Sequence, residues 1–122
     1  MAVKMMPRHV KWDEVDWERV RSDVWRRVVF GEKMTVAQMR LLKGARVAMH
    51  KHHNEQVAYV LEGRVKFVFE GGFERVVDAG GVMVIPPNVE HAAEALEDSL
   101  VADIFAPPRE DWLKGEDAYL KK

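Results

Sequence analysis

Between residues 24 and 106 the apolar residues fall in short runs, each ended by glycine, proline or a polar turn. These runs are rich in β-branched and aromatic side chains, which is typical of an all-β sandwich or barrel. We expect one domain over residues 1–122, with an N-terminal arm at 1–23, a β-barrel at 24–106 and a C-terminal tail at 107–122. The predicted strands are Val24–Phe30, Met34–Leu42, Arg46–His52, Gln56–Glu62, Arg64–Glu70, Phe73–Asp78, Val82–Ile85, His91–Leu96 and Ser99–Ala106.

Three segments around these strands have their own patterns. The sequence Glu70-Gly71-Gly72-Phe73 tolerates positive φ angles, so the strands on either side of it are predicted to form a hairpin. The acidic, tryptophan-rich segment Trp12–Val20 has too few turns for a helix. We expect an irregular arm that packs across the barrel or onto a second subunit. After the Pro107-Pro108 pair, Glu110–Leu120 is predicted to form a short helix with a break at Gly115.

Composition excludes several classes of partner and site. The 19 lysines and arginines nearly balance the 20 aspartates and glutamates, so neither nucleic acid nor an anionic membrane is implied. The sequence has no run of signal-peptide or membrane-span character, which predicts a cytoplasmic protein. It also has no cysteine. Any metal would therefore have nitrogen and oxygen ligands.

Four of the five histidines lie between residues 50 and 91. Alternate side chains of a strand share a face, so His50 and His52 are predicted to project together, about 7 Å apart along the chain. Gln56 begins the next predicted strand and can bring its carbonyl oxygen beside the pair. His91 follows the rigid turn Pro86-Pro87-Asn88 and could supply a fourth ligand. A His-x-His pair alone also arises by chance in surface strands.

The other histidines carry less information. His53 falls at the predicted turn, and we interpret it as structural or exposed. His9 lies in the arm without partners.

The spacing of Gly44, His50, His52, Gln56 and Gly63 resembles the first motif of the cupin superfamily, Gly-x5-His-x-His-x3-4-Glu-x6-Gly. A second cupin motif, Gly-x5-Pro-x-Gly-x2-His-x3-Asn, is similar to the segment from Gly80 to Ala95. This resemblance implies a cupin double-stranded β-helix, that is, a jelly-roll barrel of two antiparallel sheets. It further implies a homodimer, for which the arm Trp12–Val20 and the strand Val24–Phe30 are candidate contacts. The metal ligands it implies are His50, His52, Gln56 and His91.

The sequence departs from these motifs at Gln56, Asn88 and Ala95. Asparagine is among the residues that best replace glycine at positive φ, and the alanine costs no ligand. Gln56 puts a neutral amide where the motif has its one anionic ligand. A cation held there should favour anionic oxygen donors at its open positions, and Lewis-acid chemistry over redox chemistry. The alternative is that Glu55 is the ligand, although a shift of one residue sends its side chain to the opposite face. The ligand set suits zinc, nickel, iron or manganese.

A second group of residues follows from the last strand. Asp103 interrupts an apolar run and shares a face with Phe105, and Arg109 follows the proline turn. A carboxylate in an apolar strand costs free energy unless it is paired or used. One interpretation is therefore functional, and the other is an Asp103–Arg ion pair that only closes the barrel.

Together, the His-x-His-x3-Gln variant and the tail from Asp103 to Leu113 resemble the KdgF family of small cupins. The resemblance implies conversion of a 4,5-unsaturated uronate, a small anionic substrate, to a linear 5-keto-4-deoxyuronate. Asp103 would move the proton, Arg109 would hold the substrate carboxylate by paired hydrogen bonds, and Phe105 would form an apolar wall. Two alternatives stay open: a metal-dependent oxygenase or isomerase acting on another small polar compound, and a non-catalytic module that binds a sugar acid or a metal.

Overall fold

The computed structural model describes residues 6–121 and contains two antiparallel sheets. The first five residues of the predicted arm and Lys122 of the predicted tail lie outside these described residues. The strands are β1 Glu18–Arg21, β2 Val24–Phe30, β3 Thr35–Leu41, β4 Arg46–His50, β5 Glu55–Glu62, β6 Arg64–Phe69, β7 Glu74–Asp78, β8 Val82–Ile85, β9 His91–Ala95 and β10 Ser99–Ala106. Short helices are the 3-10 turns Trp12–Glu14, Glu70–Gly72 and Ala118–Lys121 and the α-helix α1, Glu110–Leu113.

The larger sheet has the strand order β1-β2-β3-β10-β5-β8, and the smaller sheet has the order β4-β9-β6-β7. Strands that are distant in sequence are therefore neighbours, as in a jelly roll. The all-β prediction with a short C-terminal helix is confirmed. No helix in the described part of the chain is long and apolar enough to span a membrane.

The core lies between the two sheets. Inward-facing side chains such as Val60 and Ile85 from the larger sheet and Val65 and Phe67 from the smaller sheet are almost fully buried. Their alternation with exposed residues along each strand is what places one face of each sheet inside. Toward one end of the barrel the inward-facing residues become polar, and the candidate site begins there.

The prediction for the arm is wrong at its C-terminal part. Glu18–Arg21 forms the edge strand β1, which pairs with β2 through Glu18 opposite Arg26 and Arg19 opposite Trp25. Only Val20 of this strand is buried. A four-residue segment with one apolar side chain has no alternation of apolar and polar residues from which a strand could be predicted. The rest of the arm packs on its own barrel, because Arg27 donates to the carbonyl oxygen of Trp12 and stacks on Trp17.

The hairpin prediction is confirmed, since β6 pairs with β7 across Gly71 and Gly72, which both have positive φ angles. The predicted extent of the terminal helix, Glu110–Leu120, is wrong. The α-helix α1 ends at Leu113, and a separate 3-10 turn, Ala118–Lys121, follows Gly115, whose φ of +74° is not helical. The prediction of a strand over Arg46–His52 is wrong at its end. β4 ends at His50, and its pairing with β9 shifts register between Val47 and His50.

Candidate metal centre

Three histidines meet at one end of the barrel. His50 is the last residue of β4, His91 is the first residue of β9 and lies opposite it, and His52 follows in the loop before β5. One ligand nitrogen from each ring can be chosen so that all lie within 4.8 Å of one another. Strand alternation thus predicted the proximity of His50 and His52 although His52 stands outside the strand.

Backbone carbonyl groups fix the orientation of all three rings. The Nδ1 atoms of His50, His52 and His91 lie 2.7, 3.0 and 2.8 Å from the carbonyl oxygens of Ala48, Asn54 and Val89. If each Nδ1 carries the proton and donates to its carbonyl, each Nε2 keeps a free lone pair. This is the tautomer that an Nε2-ligating histidine requires.

The environment keeps these rings neutral, which is the form that binds metals. Burial, followed by the charge of His91, lowers the pKa of His50 to about 3. Burial and then the charge of Arg109 lower the pKa of His52 to about 4. Burial also lowers the pKa of His91. Its Nε2 atom is buried and has no hydrogen-bond partner among the described residues. A buried orphan nitrogen aimed at two other imidazoles fits a divalent cation.

The side chain of Gln56 joins this cluster to Asp103. Its Oε1 lies 3.2 Å from Nε2 of His52, and its Nε2 donates to Oδ1 of Asp103 at 2.9 Å. With the proton of His52 on Nδ1, two lone pairs face each other, and a cation between the amide oxygen and the rings would satisfy both. Glu55 is exposed and belongs to the opposite face of β5. The geometry therefore favours Gln56 over Glu55 as the fourth ligand.

Asp103 lies inside the barrel on β10 and is 8% exposed. Burial raises the pKa of its carboxyl group to about 6, while the hydrogen bond from Gln56 and the charge of Arg109 act in the opposite direction. A carboxyl group with this pKa can hold or release a proton near neutral pH. Its described hydrogen-bond partner is the amide of Gln56, which leaves the group beside the pocket rather than in an ion pair.

Arg109 is 1% exposed at the start of α1. Its Nε and Nη2 donate to the two carboxylate oxygens of Asp111 at 2.9 and 2.7 Å. The edge of the guanidinium that carries Nε and Nη2 is therefore already used within the chain. Among the described residues the arginine therefore pairs with Asp111, and the Asp103–Arg ion pair of the structural interpretation is not formed. The guanidinium carbon lies 4.7 Å above the ring of Phe105 and 4.5 Å from that of Trp112.

The start of the tail is held against the barrel by two buried side chains. Thr35 accepts a hydrogen bond from the backbone N–H of Arg109 at 2.9 Å. The amide of Asn54 donates to the carbonyl oxygens of Pro107 and Pro108. Because Asn54 lies between His52 and Gln56 in sequence, the ligand loop and the tail position each other.

The predicted wall residue Phe105 is buried and meets His52 edge to face, with ring centroids 5.7 Å apart. Sequence reasoning missed three tail residues: Asp111, Trp112 and Tyr119. The ring of Tyr119 stacks on His50 at 4.4 Å, and its hydroxyl accepts a hydrogen bond from Arg109. Nothing in the sequence pattern indicated that the end of the tail returns to the histidines. His53 and His9 are exposed, away from the cluster.

A cavity with a free volume of about 60 Å³ lies beside the histidine cluster. Its polar members are His50, Gln56, His91, Asp103, Arg109 and Tyr119, and the remainder of its lining is largely apolar. An apolar pocket with a few convergent polar groups and a carboxyl group of raised pKa is the usual form of a small-molecule site.

Comparisons with known proteins agree with this fold. The family model described as "Cupin domain" matches residues 37–105. The "Pectin degradation protein KdgF" of Dickeya dadantii strain 3937 is 31% identical over 111 residues, which are 88% of this chain and 100% of that protein. Among solved structures, KdgF from Halomonas sp. is 33% identical with a TM-score of 0.76, covering 82% of this chain and 94% of that one. A RmlC-like cupin from Shewanella frigidimarina is 27% identical with a TM-score of 0.80, covering 88% and 96%.

Proposed function

Because this chain belongs to the cupin family and is a relative of a pectin degradation protein, we propose that it is a metal-dependent enzyme acting on a 4,5-unsaturated uronate. The proposed product is the linear 5-keto-4-deoxyuronate. The observation that carries the proposal is the position of the Gln56 amide, between the histidine cluster and the buried Asp103. It puts a neutral ligand and a proton-transfer group side by side.

His50, His52, His91 and Gln56 would hold the cation, for which zinc, nickel, manganese and iron are the candidates. A divalent cation bound there would supply Lewis acidity toward a substrate oxygen. Since none of the four ligands is anionic, the site keeps a positive charge that attracts an acidic substrate.

Asp103 would carry the proton that the isomerisation moves. In the reaction the C1–O5 ring bond breaks, the C1 hydroxyl loses its proton to leave an aldehyde, and C4 gains a proton as C5 becomes a ketone. No other reactant is needed. The pKa of about 6 suits a carboxyl group that accepts the first proton and donates the second.

Arg109 and Phe105 would set the orientation of the substrate. Asp111 and Tyr119 already accept hydrogen bonds from Nε and Nη2 of the arginine. The arginine would therefore present its positive charge and the two N–H groups of Nη1 to the substrate carboxylate. Phe105 would form an apolar wall beside His52.

We further propose that the protein is a homodimer. Its contact surface would extend beyond the arm and β2 across the outer face of the larger sheet. An apolar row crosses five strands on the outer face of the larger sheet, where the pairing registers place its members side by side. The row consists of Val84, Val57, Ile104, Val36 and Val29. Val84 and Ile104 are exposed, and the other three are partly exposed. An apolar row of this kind supports a self-complementary contact with a second copy.

The test of the reaction uses 4,5-unsaturated monouronate and purified metal-loaded protein. Loss of the absorbance of the conjugated double bond should accelerate at least tenfold over buffer, and removal of the metal by a chelator should abolish the acceleration. Decay at the buffer rate with fully loaded protein would contradict the proposed reaction. Ligand binding without turnover would favour the non-catalytic module, and oxygen uptake would favour an oxygenase.

A further inference from the structure

Tyr119 contacts both chemical parts of the candidate site. Its ring lies on the ring of His50, with centroids 4.4 Å apart and planes 26° from parallel. Its hydroxyl accepts hydrogen bonds from Nη2 of Arg109 at 2.6 Å and from Nε1 of Trp112 at 3.1 Å. The family model ends at residue 105, so this contact lies outside the part of the chain that it matches.

The hydroxyl of Tyr119 occupies one of the hydrogen-bonding positions of Arg109 that an acidic ligand could use. Arg109 uses Nε and one hydrogen of Nη2 for Asp111, and the second hydrogen of Nη2 goes to Tyr119. A carboxylate oxygen that approached the same side of the guanidinium would meet the tyrosine hydroxyl. The two oxygens therefore compete for one N–H group.

The ring of Tyr119 also occupies the space of a ligand. The free cavity of about 60 Å³ is small beside the roughly 300 Å³ at which small-molecule pockets begin. A sugar acid of about twelve non-hydrogen atoms would gain room there if the ring of Tyr119 moved aside.

Tyr119 is the lining residue best placed to move. Most other lining residues stand on paired strands, whereas Tyr119 stands on the last short helix and is only half-buried. On one side of it, Asp117 is held by Arg26 at 2.6 Å in a buried ion pair. On the other side, Leu120 is packed into the core. Because Asp117 and Leu120 are both anchored, a rotation of the Tyr119 side chain would not require the tail to unfold.

We propose that Tyr119 is a gating and specificity residue, whose ring and hydroxyl occupy the position of a small carboxylate ligand until that ligand displaces them. The ring covers His50, and the hydroxyl holds one N–H of Arg109 for which the ligand competes. The inference rests on the proposed function only for the class of ligand, a monomeric uronate.

The first test measures access to the metal. Full-length protein loaded with Co²⁺ is mixed with a chelator, and the loss of the visible Co²⁺ absorbance is timed. Tyr119→Ala should lose the metal at least ten times faster than the unmodified chain, whereas Tyr119→Phe, which keeps the ring, should stay within twofold of it. The chain has one other tyrosine, Tyr59, exposed on the outer sheet face, and Tyr59→Phe is the matched control. Equal rates for Tyr119→Ala and the unmodified chain would overturn the gate.

The second test uses the metal-loaded protein and needs no turnover. Binding of glucuronate, a saturated uronate that cannot undergo the proposed reaction, is measured by calorimetry. Tyr119→Phe should bind it about fivefold more tightly than the unmodified chain, because the competing hydroxyl is gone. Equal or weaker binding by Tyr119→Phe, or no binding by any variant, would overturn the proposal. Since glucuronate does not react, a failure of the proposed turnover leaves this result unchanged, and only the class of ligand is shared between the two proposals.

Discussion

The side chain of Gln56 donates a hydrogen bond of 2.9 Å from Nε2 to Oδ1 of Asp103, while its Oε1 faces His52 at 3.2 Å. One amide thus contacts both the candidate metal ligands and the candidate proton carrier. Its neutrality affects two properties at once: the charge left on the cation and the proton affinity of Asp103.

Gln56→Glu should separate these two properties. A carboxylate ligand should raise metal affinity, but it removes the hydrogen bond to Asp103 and adds a like charge beside it, which raises the pKa of Asp103 further. We expect metal content to be maintained and kcat to fall at least tenfold, as measured by elemental analysis and the uronate assay. The control is Glu55→Gln at the exposed neighbouring position. Loss of metal from Glu55→Gln, with full activity in Gln56→Glu, would identify Glu55 as the ligand instead.

Asp103→Asn should lose turnover without losing the fold. Proton transfer by a positioned group contributes about 10²- to 10⁴-fold, so kcat should fall by that factor while the bound metal stays. Because burial raises the pKa of Asp103, its ionised form lowers the free energy of unfolding at neutral pH. The thermal midpoint of the variant should therefore equal or exceed that of the unmodified chain. Asp78→Asn, at an exposed carboxylate of the hairpin, is the control. A kcat within threefold of the original for Asp103→Asn would remove Asp103 from the mechanism.

The ion pair between Arg26 and Asp117 should stabilise the tail in a pH-dependent way. Burial acts to raise the pKa of Asp117, but the hydrogen bond and charge of Arg26 outweigh it and hold the pKa below its usual value. The stabilisation is therefore present above the unfolded pKa of about 3.9 and is lost as the pH falls through the lower folded pKa.

Asp117→Asn should accordingly lower the free energy of unfolding by roughly 3 kcal/mol at pH 7, measured with urea. The difference should shrink as the pH falls below about 4. Glu18 also contacts Arg26, at 2.8 Å, but is 57% exposed, so Glu18→Gln should cost less than about 1 kcal/mol. An effect of Asp117→Asn that does not depend on pH would show that the ion pair is not its source.

The proposed dimer should depend on the apolar row of the larger sheet. Val84→Lys puts a charge into that row, whereas Val76→Lys puts one on β7 of the other sheet at a similar exposure, 51% against 55%. Sedimentation should show a dimer for the unmodified chain and for Val76→Lys, and mostly monomer for Val84→Lys. A dimer that tolerates Val84→Lys would move the contact to another surface.

How much of the site could be predicted depended on where its residues lie. His50, His52, Gln56 and His91 stand at fixed spacings on or beside neighbouring strands, so strand alternation and motif spacing indicated them together. Asp103 was noticeable because it is a carboxylate in an apolar strand. The edge strand β1 was missed, because its pairing with β2 comes from backbone contacts rather than from an apolar pattern.

The tail could not be predicted in the same way. The pairing of Arg109 with Asp111 and the stacking of Tyr119 on His50 depend on the path of the chain after Pro107-Pro108, which no periodicity encodes. The sequence therefore suggested an arginine open to a substrate, whereas the structure shows one that is already held by its own chain.

The most direct test of the proposed reaction follows the proton that C4 gains. Metal-loaded protein is incubated with 4,5-unsaturated monouronate in D₂O, and the product is followed by proton NMR beside a buffer sample and Asp103→Asn. We predict rapid formation of linear 5-keto-4-deoxyuronate with one deuteron delivered to a single face of C4, and loss of both rate and facial selectivity in Asp103→Asn. Product that forms at the buffer rate, with deuterium on both faces of C4, would contradict the account.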